Sequence, residues 1–158
     1  MTSTDFATLL EFVRTKTRGL VDTIAALPDP VAALAWQPGP GRANIGWQLM
    51  HVAATDDRHL HVRMKGGEPL EPDFVKRFGA GSTPDSNLPP LPEIVRYMDE
   101  RRAAMLVHLK TLTEADLAVK PNAAAPWVYN EWFQVLAWHE SHHHGQAHLT
   151  LNLYKNSV

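Results

Sequence analysis

Of the nine histidines in this chain, His139, His142, His143, His144 and His148 all fall within the single stretch from Val135 to Thr150. Imidazole can ligate a metal, carry a proton or simply bond within a core, so spacing decides among these uses. Trp132, Val135, Leu136, His139, His143, Gln146, Thr150 and Leu153 advance by three or four residues, which puts them on one helix face. His139 and His143 therefore share the apolar stripe and point inward, one turn apart. Two neutral imidazoles so placed can reach one ion at the roughly 2.0–2.1 Å of a zinc–nitrogen bond. His144 and His148 have the same separation but stand more than a quarter turn away, beside Glu140 and Asn152, and are expected to face solvent. A single inward histidine is ordinarily a hydrogen-bonded core residue. Two of them in a stripe short of other polar groups each need a partner, and a metal satisfies one nitrogen of each ring.

The string His139-Glu140-Ser141-His142-His143 also fits H-E-x-x-H, in which two histidines hold zinc and the glutamate activates water. That match lacks its third ligand. No Asp or Glu follows Glu140, and Gly145 and His148 are each one position early for the extended form of the motif. The third ligand must come from upstream, where His51, His59, His61, His108 and Asp56 are the candidates. His51 leads them, about two turns into the second helix. His59 lies near the far end of that helix, and His61 and His108 fall off the inner stripes.

Four helical patterns position these residues, with no convincing strand alternation between them. The first runs from about Asp5 to Leu27, with Ser3 or Thr4 as cap and Pro28 as stop. Pro28 to Arg42 holds too many Pro and Gly residues for a regular element and reads as a connector. Asn44 caps a second helix that ends before Gly66-Gly67. Gly66 to Pro90 is a connection much longer than antiparallel neighbours need, so it predicts a crossover. A third helix starts near Pro90 or Pro92 and reaches Leu112, and the last spans about Asn130 to Leu153. The reading is all-α: a four-helix bundle in one domain, 1–158, with a long crossover between the second and third helices.

Composition narrows the function. With 158 residues, 44% hydrophobic and 20% charged, the chain suits one globular domain. No cysteine means no disulfide, thiol nucleophile or thiolate metal site, so any metal is held by nitrogen or oxygen. A net charge of -2 gives no reason to expect nucleic acid. No run approaches the ~18 apolar residues of a membrane span, and the charged amino-terminal stretch does not read as a secretion signal, so a cytoplasmic location is expected. Several residues read as structural rather than functional: Trp47, Trp127, Trp132 and Trp138 as core or subunit contact, and Arg101 and Arg102 as a solvated helix face. Asp56 suits an ion pair with a neighbouring basic residue and a role beside the metal or as a general base equally well. Gln146 suits bound water or a backbone bond equally.

The run Asn44-Ile45-Gly46-Trp47-Gln48-Leu49-Met50-His51, together with His139-x-x-x-His143-His144-Gly145-Gln146, resembles the DinB-like superfamily, which includes the YfiT-type metal-dependent hydrolases. The resemblance extends to the Trp36-Gln37-Pro38-Gly39 turn and the long second link. It implies a divalent ion held by three histidines, here His51, His139 and His143. The family often has arginine before the glycine where this chain has His144, a departure at the helix surface. Members with assigned chemistry look like thiol S-transferases and thiol-dependent isomerases that use bacillithiol, mycothiol or glutathione-like cosubstrates. Three neutral ligands leave coordination positions open, and the ion would favour the deprotonated form of a thiol or of water. Imidazole suits zinc first on base rate and nickel next. The expectation is a metal-dependent enzyme acting on a small molecule by thiol transfer or hydrolysis, possessing no assigned catalytic residue and forming a homodimer. The competing expectation is a noncatalytic metal-binding or dimerising helical protein.

Overall fold

The computed structural model describes residues 1–157, and among these every regular element is a helix. The first long helix, α1, spans Ser3–Ala25 and opens on a capping box in which Thr2 and Asp5 bond each other's backbone N–H. The supposed connector holds a short helix, α2 (Pro30–Ala35), because Asp29 caps it and Pro30 sits in the first turn, where its missing N–H costs nothing. Helix α3 (Ile45–Asp57) starts at Asn44, whose side chain accepts from the Trp47 N–H at 2.8 Å. It continues as a π-helical segment, Arg58–Met64, closed by a Lys65 N–H bond to the Leu60 carbonyl.

The long link that follows contains α4 (Pro72–Phe78). Helix α5 spans Leu91–Lys110, the one-turn α6 spans Glu114–Leu117, and α7 spans Tyr129–Lys155. Helix α1 packs on α5 and α7, and α3 packs on the same two, so α1 and α3 face each other across a four-helix ring. One apolar cluster joins Leu20 and Ile24 of α1 to Leu49 and Met50 of α3, Ile94 of α5 and Leu151 of α7. The other joins Phe6 of α1 to Leu60, to Met105 and Leu109 of α5, and to Trp132 and Phe133 of α7. The starts of α3 and α5 thus lie at the same end of the ring. These two neighbours run parallel, and parallel neighbours require the long crossover that 65–90 provides.

Between the two clusters lies a buried set of charges with one member from each long helix. Glu140 of α7 accepts from Arg14 of α1 at 2.7 Å and from Arg102 of α5 at 2.6 Å, and Asp56 of α3 accepts from Arg102 at 3.0 Å. Arg102 is 3% exposed and Glu140 is fully buried. Arg101, at 8%, is buried as well. The solvated face expected at Arg101 and Arg102 is therefore an interior one. The α7 face that bears Glu140 turns inward too, because α7 is covered on two sides, by α1 and by α3.

Candidate metal centre

His51 lies midway along α3, while His139 and His143 lie one turn apart on α7, and the packing of α3 on α7 turns the three rings toward one point. Their candidate ligand atoms all lie within 4.8 Å of one another. His51 Nε2 stands 3.1 Å from His139 Nε2. Two nitrogens bound to one ion at zinc-like distances are separated by about 2.9 Å at right angles and about 3.3 Å at the tetrahedral angle, so this spacing suits a shared ion.

The hydrogen-bond pattern fits the same use. His51 Nδ1 donates to the Phe78 carbonyl at 2.6 Å, which leaves its Nε2 as a bare lone pair aimed at His139. His143 Nδ1 is buried and has no hydrogen-bond partner among the described residues. The Trp47 ring lies nearly parallel to His51, with centroids 4.7 Å apart, and restricts its rotation. Burial, followed by repulsion from the neighbouring imidazoles, pushes His139 down to about 3 and His143 to about 4. Burial also lowers His51, against the opposing pull of the Phe78 carbonyl. All three rings are neutral at pH 7, the state that coordinates a cation.

The remaining candidates lie elsewhere. His59 packs on Trp132 with centroids 4.8 Å apart, and His61 Nδ1 bonds the Asp57 carboxylate at 2.8 Å. His108 packs against Tyr129. Asp56 belongs to the charge set between the clusters, which settles its two open roles in favour of the ion pair. Glu140 is turned away from the histidines into the same set, so the H-E-x-x-H match does not assemble a water-activating glutamate. Arg14 and Arg102 outweigh the effect of burial on Glu140 and hold its carboxyl below the usual range. His148 faces solvent as expected, but His144 is half-buried. Gln146 bonds exposed His142 at 2.9 Å and also acts on His143, where its side chain opposes the lowering of the imidazole pKa.

Sequence reasoning missed the Phe78 carbonyl, which comes from α4 inside the presumed crossover loop. The signals of α4 were present: Pro72 at its start, Asp73 in the first turn, Lys76 and Arg77 in the last, and Gly79 just beyond. A Cβ at Gly79 would stand 2.3 Å from the Val75 carbonyl oxygen, so the turn that presents the Phe78 carbonyl requires glycine.

Two cavities lie along the α3–α7 groove, one on each side of the histidines. One, about 260 Å³, is lined by Thr55, His59, Gly79 and Trp132 among others. The second, about 420 Å³, is lined by Trp47, Gln48, Gln146 and Thr150 among others.

Fold and site together define a class: an all-helical bundle with three imidazoles gathered between two of its helices. The sequence pattern of the DinB superfamily matches residues 9–147, and the chain belongs to that superfamily. A conserved protein of Enterococcus faecalis, known from its crystal structure, has the same fold, with a TM-score of 0.72 and 18% identity over 96% of this chain and 95% of that one. No curated protein matches this chain. Among the described residues no helix is long and apolar enough to cross a membrane.

Proposed function

We propose that this protein is a metal-dependent enzyme that acts on a small molecule through His51, His139 and His143, by thiol transfer or, failing that, hydrolysis. The observation that carries the reading is the set of three neutral imidazoles with converging nitrogens. Zinc is the first choice of ion and nickel the second. A bound divalent ion would supply a Lewis acid that favours the deprotonated form of a thiol or of water. The chain's own part is to hold three ligands, fix the His51 tautomer through Phe78, and keep carboxylates away from the ion's charge.

Thiol transfer is favoured over hydrolysis because a cavity lies on either side of the histidines, which suits two organic reactants better than one reactant and water. The reading places the protein in the cytoplasm, where low-molecular-weight thiols are reduced and abundant, and as a homodimer through the exposed apolar residues of α7, including Trp138 and Leu149. The second reading, a noncatalytic metal-binding protein, predicts zinc uptake with no chemistry.

The test combines elemental analysis with a thiol screen. Purified chain should take up about one zinc or nickel per molecule, and His51→Ala, His139→Ala or His143→Ala should each remove it. The loaded chain should join a low-molecular-weight thiol to 1-chloro-2,4-dinitrobenzene: a carbon–sulfur bond forms, chloride leaves with the carbon–chlorine pair, and the thiol proton passes to solvent. Turnover that needs neither thiol nor metal would refute the transferase reading, and stoichiometric metal with no turnover for any thiol would favour the noncatalytic one.

A further inference from the structure

The smaller cavity has a chemistry of its own. Arg58, Thr55, His59, Arg63, Trp127 and Trp132 contribute to its lining. Arg58 and Arg63 are five residues apart, and in a regular α-helix they would diverge by about 140°. They belong to the π-helical segment, whose wider turn narrows that divergence, and both side chains line one cavity. Among the described residues no carboxylate lies within 4.0 Å of either group and neither makes a side-chain hydrogen bond; of the other seven arginines, Arg14, Arg18, Arg96, Arg101 and Arg102 are in ion pairs, while Arg42 and Arg77 are not. Two arginines without carboxylate partners and Thr55, all lining one cavity, offer donors suited to an anion.

Two indole rings also line the cavity. Trp132 is buried and Trp127 packs on it edge to face at 4.6 Å. Asn122 donates to the Arg63 carbonyl at 2.8 Å and so ties the segment that carries Trp127 to the segment that carries the arginines. The cavity also adjoins the histidines through shared elements. Thr55 lies one turn beyond His51 on α3, Gly79 follows the residue that accepts from His51, and Trp132 lies two turns before His139 on α7. Along a helix this is about 6–10 Å, the length of a small aryl acid.

The geometry points to an acceptor pocket for a small anion with a flat apolar body: Arg58 and Arg63 hold its carboxylate or phosphate, Trp127 and Trp132 hold its body, and its far end lies toward His51, His139 and His143. This deepens the proposed enzymatic reading and rests on it for the direction of the far end, but the anion contact stands on the arginines alone. A volume of about 260 Å³ limits the occupant to a small molecule.

Calorimetry on the full zinc-loaded chain tests this with 3-phenylpropanoate, its neutral amide and phenyl phosphate as probes. Arg58→Gln/Arg63→Gln, with Arg63→Gln alone as a milder variant, should weaken binding of the anionic probes roughly 10- to 100-fold at unchanged zinc content, and the amide should bind as weakly to the unaltered chain. Tighter binding of the carboxylate or of the phosphate identifies which group the pocket takes. Equal binding by the amide, equal binding by both arginine variants, or no heat from either anion overturns the proposal. Loss of binding in His51→Ala but not in the arginine variants overturns it as well, because the anion would then sit on the metal. A chain that takes up no zinc yet binds 3-phenylpropanoate through the arginines keeps the pocket and loses the proposed metal-dependent function, so the two failures are distinguishable.

Discussion

A histidine becomes a ligand when its surroundings remove its proton and aim its free nitrogen. For His51 burial does the first, while the second depends on one backbone carbonyl, and that carbonyl depends on a glycine. Gly79→Ala, which drives a methyl group against the Val75 carbonyl, should shift Phe78 and free the His51 ring. The expected result is metal affinity about 10- to 100-fold weaker in a chain that still folds, measured by competition with a chelator. Wild-type affinity in Gly79→Ala would show that the Phe78 bond does not orient the ring. The trio itself was legible from the residues, because helical periodicity puts His139 and His143 on one inward face. His51 stood ahead of His59 by its place nearer the middle of the second helix, and the resemblance to a family then named it as the third ligand, since spacing alone left that ligand open. The Phe78 carbonyl was illegible as a partner, since any residue has one and only tertiary packing selects it.

At the scale of elements, capping and breaker chemistry marked the ends of the long helices well. Asn44 is the clearest case. Fully buried, it caps α3 through Trp47 and also donates to the Asp85 carbonyl at 2.7 Å, tying the crossover to the start of the helix that carries His51. Asn44→Ala should therefore cost more than an ordinary cap, about 2 kcal/mol or above, read from urea denaturation. A loss below about 0.5 kcal/mol would mean that the crossover holds without it. Three short helices escape the sequence pattern. Helices α2 and α4 do so because their prolines stand at the first helical positions, where they start a helix rather than break one. Helix α6 does so because a single turn is too short to show a period, although Thr113 and Asp116 form a capping box. The π-helical segment was missed for another reason: Arg58–Met64 follows an α-helix with no composition change to announce a wider turn.

For the whole molecule, the least legible feature was the set of charges between the two apolar clusters. Glu140 lies about 100° around α7 from His139, on a face that looks polar until α1 covers it. Arg102→Met removes one cation and leaves Glu140 and Asp56 to share Arg14, and it should cost about 3–5 kcal/mol. Replacing all four charged residues by apolar ones of similar size should come much closer to the wild type, and the two chains can be compared in parallel urea melts. Acid should act in the same direction as Arg102→Met. His59 and His143 are held at about 4 and His139 at about 3, all below the ordinary 6.5, and Glu140 is held below its ordinary 4.5. Each binds its proton more weakly folded than unfolded, so stability is complete above about pH 6.5 and is lost as pH falls through 4 and 3. Denaturation of the metal-free chain at stepped pH checks this, and a flat profile from 6.5 to 3.5 would contradict it. The four charges of the set cancel and lie beyond the reach of dissolved counterions. Raising ionic strength at neutral pH should therefore leave this belt untouched, and the bundle should hold in brine as firmly as in dilute buffer.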